Sequence, residues 1–266
     1  MCKIMKMIRK SQIFLFLFVL DFLCFSSNVV AKGISAELRN PITNEGISTW
    51  DSIYFGNYWQ EDTNGDGRAN ENDEKQPIRW RVLQVLGNNA LILSDKILDC
   101  QPYHRAGESI TWEMCTLRIW LNDVFLDYAF TNDEKNMIVP MTVSNRNHPV
   151  YVTDGGNDTT DKIFLLSAQE VCDTSYGFDS EYGKSSGMRE GKNTSYVKEK
   201  NAYNSIISGY EDNGEWWLRS SGLSNIYASN ITTEGRGNCY LVNSQYHSVR
   251  PALLLNLSSS AWRRAE

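Results

Sequence analysis

Between Asp62 and Asp73, oxygen-bearing side chains recur at a spacing suited to one kind of chemistry, the binding of a hard cation. With Asp62 as position 1, oxygens fall at positions 1, 3, 5, 9 and 12 (Asp62, Asn64, Asp66, Asn70 and Asp73), and Gly67 stands at position 6. Calcium takes about six to eight oxygen ligands, and a twelve-residue loop supplies them from those positions plus the backbone carbonyl of position 7. Here that carbonyl belongs to Arg68. Asn70 would ligate directly or through water, Asp73 would close the site, and Gly67 would allow the sharp turn. Calcium is therefore the expected cofactor. The competing reading is an acidic, glycine-rich turn that holds no metal.

Catalytic chemistry has less to stand on. His104, His148 and His247 lie far apart, and none belongs to an HxxxH or HExxH pair. Glu108, Glu113 and Glu134 read most simply as surface or capping residues, so no catalytic residue is assigned. Trp216, Trp217, Arg219 and Arg250 could form a ligand platform, since aromatic faces stack on sugars and arginine pairs with carboxylates. In a strand of period two, Trp216 and Leu218 share one face while Trp217 and Arg219 share the other. The alternative, which is favoured, packs these side chains in the core or on buried carbonyls. The candidate ligand-binding residues are Trp217, Arg219, Tyr227, Asn230, Tyr240 and Tyr246.

These residues must be positioned by a fold, and the chain start is not expected to belong to it. Lys3, Lys6, Arg9 and Lys10 precede the apolar run Ile13 to Phe25, and Val29-Val30-Ala31 offers a cleavage site. Residues 1–31 thus read as a signal peptide, too short in its apolar run to span a membrane. A lipid anchor at Cys24 is disfavoured by Leu23 before it. Residues 32–266 would then form one exported domain, secreted or at the cell surface, with the loop at 62–73 as an insertion. The formal charge of −6 becomes −9 once the leader's four basic residues and one acid are removed. Such an acidic surface argues against nucleic acid or an anionic membrane as partner. The remaining Cys100, Cys115, Cys172 and Cys239 permit two disulfides in an exported chain, in three connectivities. Cys100–Cys115 is the local choice and leaves Cys172–Cys239, with free buried thiols as the alternative.

Strands are expected over Ser52 to Trp59, Pro77 to Val85 (with Ile78, Trp80 and Val82 on one face) and Ala90 to Ser94, so the oxygen-rich loop connects strands. Leu117, Trp120, Leu121, Val124, Phe125 and Tyr128 recur at helical spacing and predict an amphipathic helix over Thr116 to Phe130. Thr131 with Glu134 forms a capping box, and Ser167 with Glu170 caps another helix after the strand Ile163 to Leu166. Tyr176 to Asn213 is irregular, a composition associated with function or mobility. Strands resume at Glu215 to Ser220, Ile226 to Thr233, Cys239 to Val242 and Ser248 to Leu257.

Tyr54-Phe55-Gly56-Asn57-Tyr58, Pro77-Ile78-Arg79-Trp80-Arg81-Val82-Leu83, Leu117-Arg118-Ile119-Trp120-Leu121-Asn122, Phe164-Leu165-Leu166-Ser167, Trp216-Trp217-Leu218-Arg219-Ser220 and Val249-Arg250-Pro251-Ala252 occur in this order. Together they resemble an uncharacterised domain of unknown function found in exported bacterial proteins, a likeness that brings no activity with it. The 62–73 loop is similar to the EF-hand pattern, in the variant with a closing Asp that resembles dockerin modules. Its flanks are strand-like, it is single, and Ala69 replaces the branched apolar residue usual at position 8. These departures suit a weak structural site. A tryptophan-rich strand, a variable stretch and a closing strand with an arginine also resemble the C-type-lectin-like fold of the formylglycine-generating-enzyme group. That likeness implies an α+β mixed domain of antiparallel strands and a few short helices, with ligand-facing loops between Ser220 and Val249. The glycine-rich and cysteine landmarks of that enzyme group are not recognisable here.

The expectation is a non-enzymatic binding module for a glycan or a host or cell-surface protein, with calcium stiffening a hairpin. An exported hydrolase or transferase with an unrecognised site, or a structural module of the cell envelope, are the alternatives.

Overall fold

The computed structural model describes residues 37–258 and 260–265, so the expected leader over 1–31 lies outside the described residues. Leu38 to Glu266 forms one compact unit. It begins with a hairpin of β1 (Ile42–Asn44) and β2 (Ile47–Thr49), turned through Glu45 and Gly46, both in the left-handed region. β3 (Ser52–Tyr58), β4 (Gln76–Leu86) and β5 (Asn89–Ser94) follow as an antiparallel meander. Ile78, Trp80 and Val82 alternate inward and are fully buried, as period two requires. A bulge between Val82 and Gln84 lets Leu83 be buried as well.

The short β6 (Asp99–Cys100) leads into α1 (Thr116–Trp120), a π-helical turn at Leu121–Phe125 and α2 (Leu126–Ala129). The sequence predicted one amphipathic helix here. The π turn advances the register, so Ala129 and Phe130 enter the core while Tyr128 is left 46% exposed. The Thr131 capping box forms and starts α3 (Asn132–Met137). Then come β7 (Ile138–Val139), β8 (Met141–Val143), β9 (Thr159–Asp161) and β10 (Ile163–Phe164). The reciprocal Ser167–Glu170 bonds also form, but they start only a 3₁₀ turn at Glu170–Cys172. Within the irregular stretch after Tyr176, the described residues contain a single short helix, α4 (Ser195–Glu199). The chain closes through β11 (Trp216–Ser221), β12 (Tyr227–Ile231), β13 (Gly237–Leu241), β14 (Ser248–Val249), β15 (Ala252–Asn256) and β16 (Arg263–Arg264).

Two sheets carry the architecture. One runs β10-β15-β5-β4-β3-β16, with β7 also paired to β15; the other runs β13-β12-β11-β14-β6. Pairing is antiparallel except between β11 and β14, which meet at Trp216 and Ser248. The fold is therefore mostly antiparallel β with a few short helices, which agrees with the α+β class. Trp80, Trp112, Trp216 and Trp217 are all fully buried in one core. No described helix is long and apolar enough to cross a membrane.

Candidate functional site

The Asp62–Asp73 loop leaves the sheet between β3 and β4 and is latched at its base. Gln60 donates twice to Gln76: its N–H to Gln76 Oε1 at 2.9 Å, and its Nε2 to the Gln76 carbonyl at 3.1 Å. Inside the loop, the candidate ligands organise the backbone. Asp62 accepts from the N–H groups of Gly65 (2.7 Å) and Gly67 (2.8 Å), Asn64 from Asp66 (2.9 Å), and Asp66 from Arg68 (2.9 Å). Gly65 and Gly67 have φ of +74° and +89°, which L side chains resist and which turns of this tightness require. Asp73 accepts from the N–H groups of Thr63 (2.8 Å), Asn64 (3.1 Å) and Asn70 (2.7 Å) and from the Thr63 hydroxyl (3.2 Å). These donors, Asn70 foremost, hold the Asp73 carboxyl below its usual range. Ala69 points into the core, 3% exposed, so the small residue at position 8 is still packed.

The donor set fits a hard cation in chemistry. Each Asp62 oxygen accepts one N–H and keeps a second lone pair. In the described geometry the Asn70 amide spans the Arg68 carbonyl and the Asn72 N–H, and no three His, Cys, Asp or Glu side chains among the described residues converge as a metal cluster. A cation here would depend on the carboxamides and the carbonyl as well as the three carboxylates. Within the loop, Glu71 accepts from the Tyr196 hydroxyl at 3.0 Å, which ties the loop to α4.

The platform considered for Trp216, Trp217, Arg219 and Arg250 does not form as an exposed surface, and the favoured packed arrangement is the one observed. Trp216, Trp217, Arg219 and Arg250 are all 3% exposed or less. Arg219 donates to both oxygens of Glu170 and to the carbonyls of Leu165 (2.8 Å) and Ser144 (3.1 Å). Arg250 lies over the Trp216 ring and donates to the carbonyls of Ser94, Arg189, Glu190 and Asp95. A third arginine not singled out from sequence, Arg189, is fully buried and binds the carbonyls of Gly235, Val171, Asp179, Glu181 and Lys184. The irregular segment thus satisfies its carbonyls through guanidinium forks in place of a ladder.

Of the other predicted ligand residues, Asn230 is buried, Tyr227 is half-buried, and Tyr240 and Tyr246 are 49% and 62% exposed. Three of the six meet around one histidine. His247 is 3% exposed, stacked on Trp217 with ring centroids 4.3 Å apart and against Tyr240 at 4.7 Å. The Ser244 hydroxyl bonds its Nδ1 at 2.9 Å. Glu215 Oε2 lies 3.0 Å from its Nε2, close enough for an ion pair but not aligned for a hydrogen bond. Asn230 Nδ2 donates to the same Glu215 oxygen at 3.3 Å. The pairing of β11 with β12 and β14, and of β12 with β13, brings these groups together, and no spacing in the chain announces it. Arg219 belongs to the Glu170 cluster instead. Tyr227 pairs with Leu241, out of phase with Asn230, and Tyr246 lies in the turn before His247.

The disulfide expectation is corrected: Cys100, Cys115, Cys172 and Cys239 are all free. Each has another task. The Cys100 thiol donates to the carbonyls of Gln245 (3.2 Å) and His247 (3.4 Å), and Cys115 caps α1 by accepting from the Arg118 N–H. Cys172 meets the Arg189 guanidinium, and Cys239 packs where Gly222 leaves room. Burial pushes the thiols of Cys100 and Cys115 up to about 12, so neither is a thiolate nucleophile near neutral pH.

Two clefts flank the junction of loop and helix. One, of about 520 Å³, lies between Arg68–Asn72 and Tyr196, Glu199 and Lys200. The other, of about 400 Å³, is lined by Cys100, Pro102, Arg105, Lys200, Asn243 and Gln245. Lys200 belongs to both. Its ammonium is held 3.0 Å from Asp99 Oδ1, and buried Asp99 also accepts from the Tyr58 hydroxyl at 2.7 Å.

The β-rich domain with its loop insertion can now be placed among known proteins. Residues 87–257 match the family described as Domain of unknown function (DUF6273), and the chain belongs to that family. No curated protein and no solved structure matches it. The matched stretch starts at the β4–β5 turn, so the 62–73 loop lies ahead of it.

Proposed function

We propose that the chain is an exported, calcium-braced binding module, secreted or held at the cell surface, that recognises a glycan or protein ligand without turning it over. The observation that carries this reading is the self-organised 62–73 loop. Its candidate ligands already shape the backbone, and its Glu71 reaches across to Tyr196. A cation among Asp62, Asn64, Asp66, Asn70, Asp73 and the Arg68 carbonyl would stiffen the β3–β4 connection and α4 together. Such a loop is EF-hand-like, in the closing-Asp variant that resembles dockerin loops. The C-type-lectin-like architecture belongs to the same proposal, supported by the buried tryptophans of β11, the long irregular segment before it and the closing strand with Arg250. Export rests on the basic-then-apolar pattern of residues 3–31.

A glycan and mucin binding screen, run with calcium and with chelator, tests the reading. Binding that chelator weakens supports it, and no binding under either condition refutes it.

A second reading, an exported hydrolase, draws on the Ser244–His247–Glu215 arrangement. A serine hydroxyl on one ring nitrogen and a carboxylate near the other is the grouping that activates a nucleophile. Against it, His247 is closed between Trp217 and Tyr240 and only 3% exposed. Labelling of Ser244 by a fluorophosphonate, lost in Ser244→Ala, would favour the enzyme.

A further inference from the structure

We propose that the cleft lined by Cys100, Pro102, Arg105, Lys200, Asn243 and Gln245 binds a carboxylate-bearing sugar residue, with Arg105 taking the carboxylate. The inference rests on the glycan-binding reading above and deepens it. The chain carries a formal charge of −6, yet this cleft is lined by two cations and two carboxamides and by no acidic side chain. Lys200 is fixed by buried Asp99, which offsets its charge. Arg105 is exposed, and its guanidinium has no ion-pair partner among the described residues. It is therefore the free fork for a carboxylate, which a guanidinium grips with two parallel hydrogen bonds.

The walls are built. The His104 N–H donates to the Val242 carbonyl at 2.8 Å, which fixes the Arg105 segment beside the Asn243 segment. Gly107 packs so closely that a Cβ there would lie 2.9 Å from Asn243 Nδ2. From below, the Cys100 thiol binds the Gln245 carbonyl. The carboxamides of Asn243 and Gln245 each offer donors and an acceptor, the pairing that sugar hydroxyls need. A volume of about 400 Å³ is at the scale of a small-ligand site. An acidic sugar uses the cation and the carboxamides together, whereas a simple organic acid uses only the first.

The test is a titration of the full chain with glucuronate, glucose and N-acetylglutamate by calorimetry, beside a neutral-glycan array, repeated with Arg105→Gln. Glucuronate should bind more tightly than either of the others. The variant should lose about tenfold or more in glucuronate affinity with an unchanged melting temperature, because the lost contact is a charge-assisted pair. Equal affinity for glucose and glucuronate, equal affinity for N-acetylglutamate, or full glucuronate binding by Arg105→Gln would each overturn the assignment. If neutral glycans bind while glucuronate does not, this site falls and the broader glycan reading stands. If no carbohydrate binds, the glycan reading and this site fall together.

Discussion

Asp66→Ala separates a loop that holds calcium from one that is only well folded. The Asp66 side chain is exposed and accepts from the Arg68 N–H within the loop. Removing it from the metal-free protein is a surface change of about 0.5 kcal/mol or less. A weak extracellular site has a Kd of about 10⁻⁴–10⁻³ M. At roughly 10 mM calcium, the native state should then gain about 1.4–2.7 kcal/mol through RT ln(1 + [L]/Kd). For a domain of this size, that is a rise of about 3–10 °C in melting temperature. Calorimetric melts with calcium and with chelator should show this rise in the wild type and little or none in Asp66→Ala, with the two chelated melts nearly coincident. Asp73→Ala should behave differently, lowering the melt with or without calcium, because four loop donors converge on that carboxylate. Calcium should also slow amide exchange in α4 along with the loop, through the Glu71–Tyr196 bond. A wild type with no calcium-dependent shift and no metal by direct binding refutes the calcium proposal, as does an undiminished shift in Asp66→Ala.

Three further outcomes follow from the packing. Gly56 has φ +67°, and a Cβ there would strike the Phe130 ring and lie 2.8 Å from the Ala129 carbonyl. Gly56→Ala should therefore cost about 2–5 kcal/mol in urea denaturation, and a loss under about 1 kcal/mol would contradict the packing. Burial lowers the pKa of His148 from 6.5 to about 4, and its Nδ1 accepts from the N–H groups of Val150 and Tyr151. As pH falls through this interval the unfolded chain takes up the proton first. Stability is full above about 6.5 and drops by up to about 3 kcal/mol toward pH 4; an equal drop in His148→Asn would refute that origin. Denatured, unreduced protein should show Cys100, Cys115, Cys172 and Cys239 as free thiols to an alkylating reagent, and reductant should leave the melt unchanged.

Local patterns were legible wherever one residue's neighbours in sequence are also its neighbours in space. The alternation of Ile78, Trp80 and Val82 announces β4, and Thr131 with Glu134 announces the start of α3. The first half of the 62–73 loop is a clear case, since Asp62, Asn64 and Asp66 bond backbone groups within five residues. The single helix expected over Thr116 to Phe130 failed at Tyr128, because a π turn conserves apolar spacing in the sequence while changing which residue faces inward. The disulfide expectation failed for a related reason: cysteine count and compartment say nothing of where each thiol points.

The sequence by itself determined the strand-rich class, the tight turns of the 62–73 loop and the apolar faces, because period and turn chemistry are properties of a few consecutive residues. Tertiary structure alone decided that Arg189, Arg219 and Arg250 serve buried carbonyls, and that His247 sits between Trp217 and Tyr240 with Ser244 and Glu215 beside it. It also decided that Arg105, Lys200 and Asn243 share one cleft. An arginine or histidine has the same chemistry on a surface as in a core. Which role it takes depends on the strands that the chain brings across from far away in sequence.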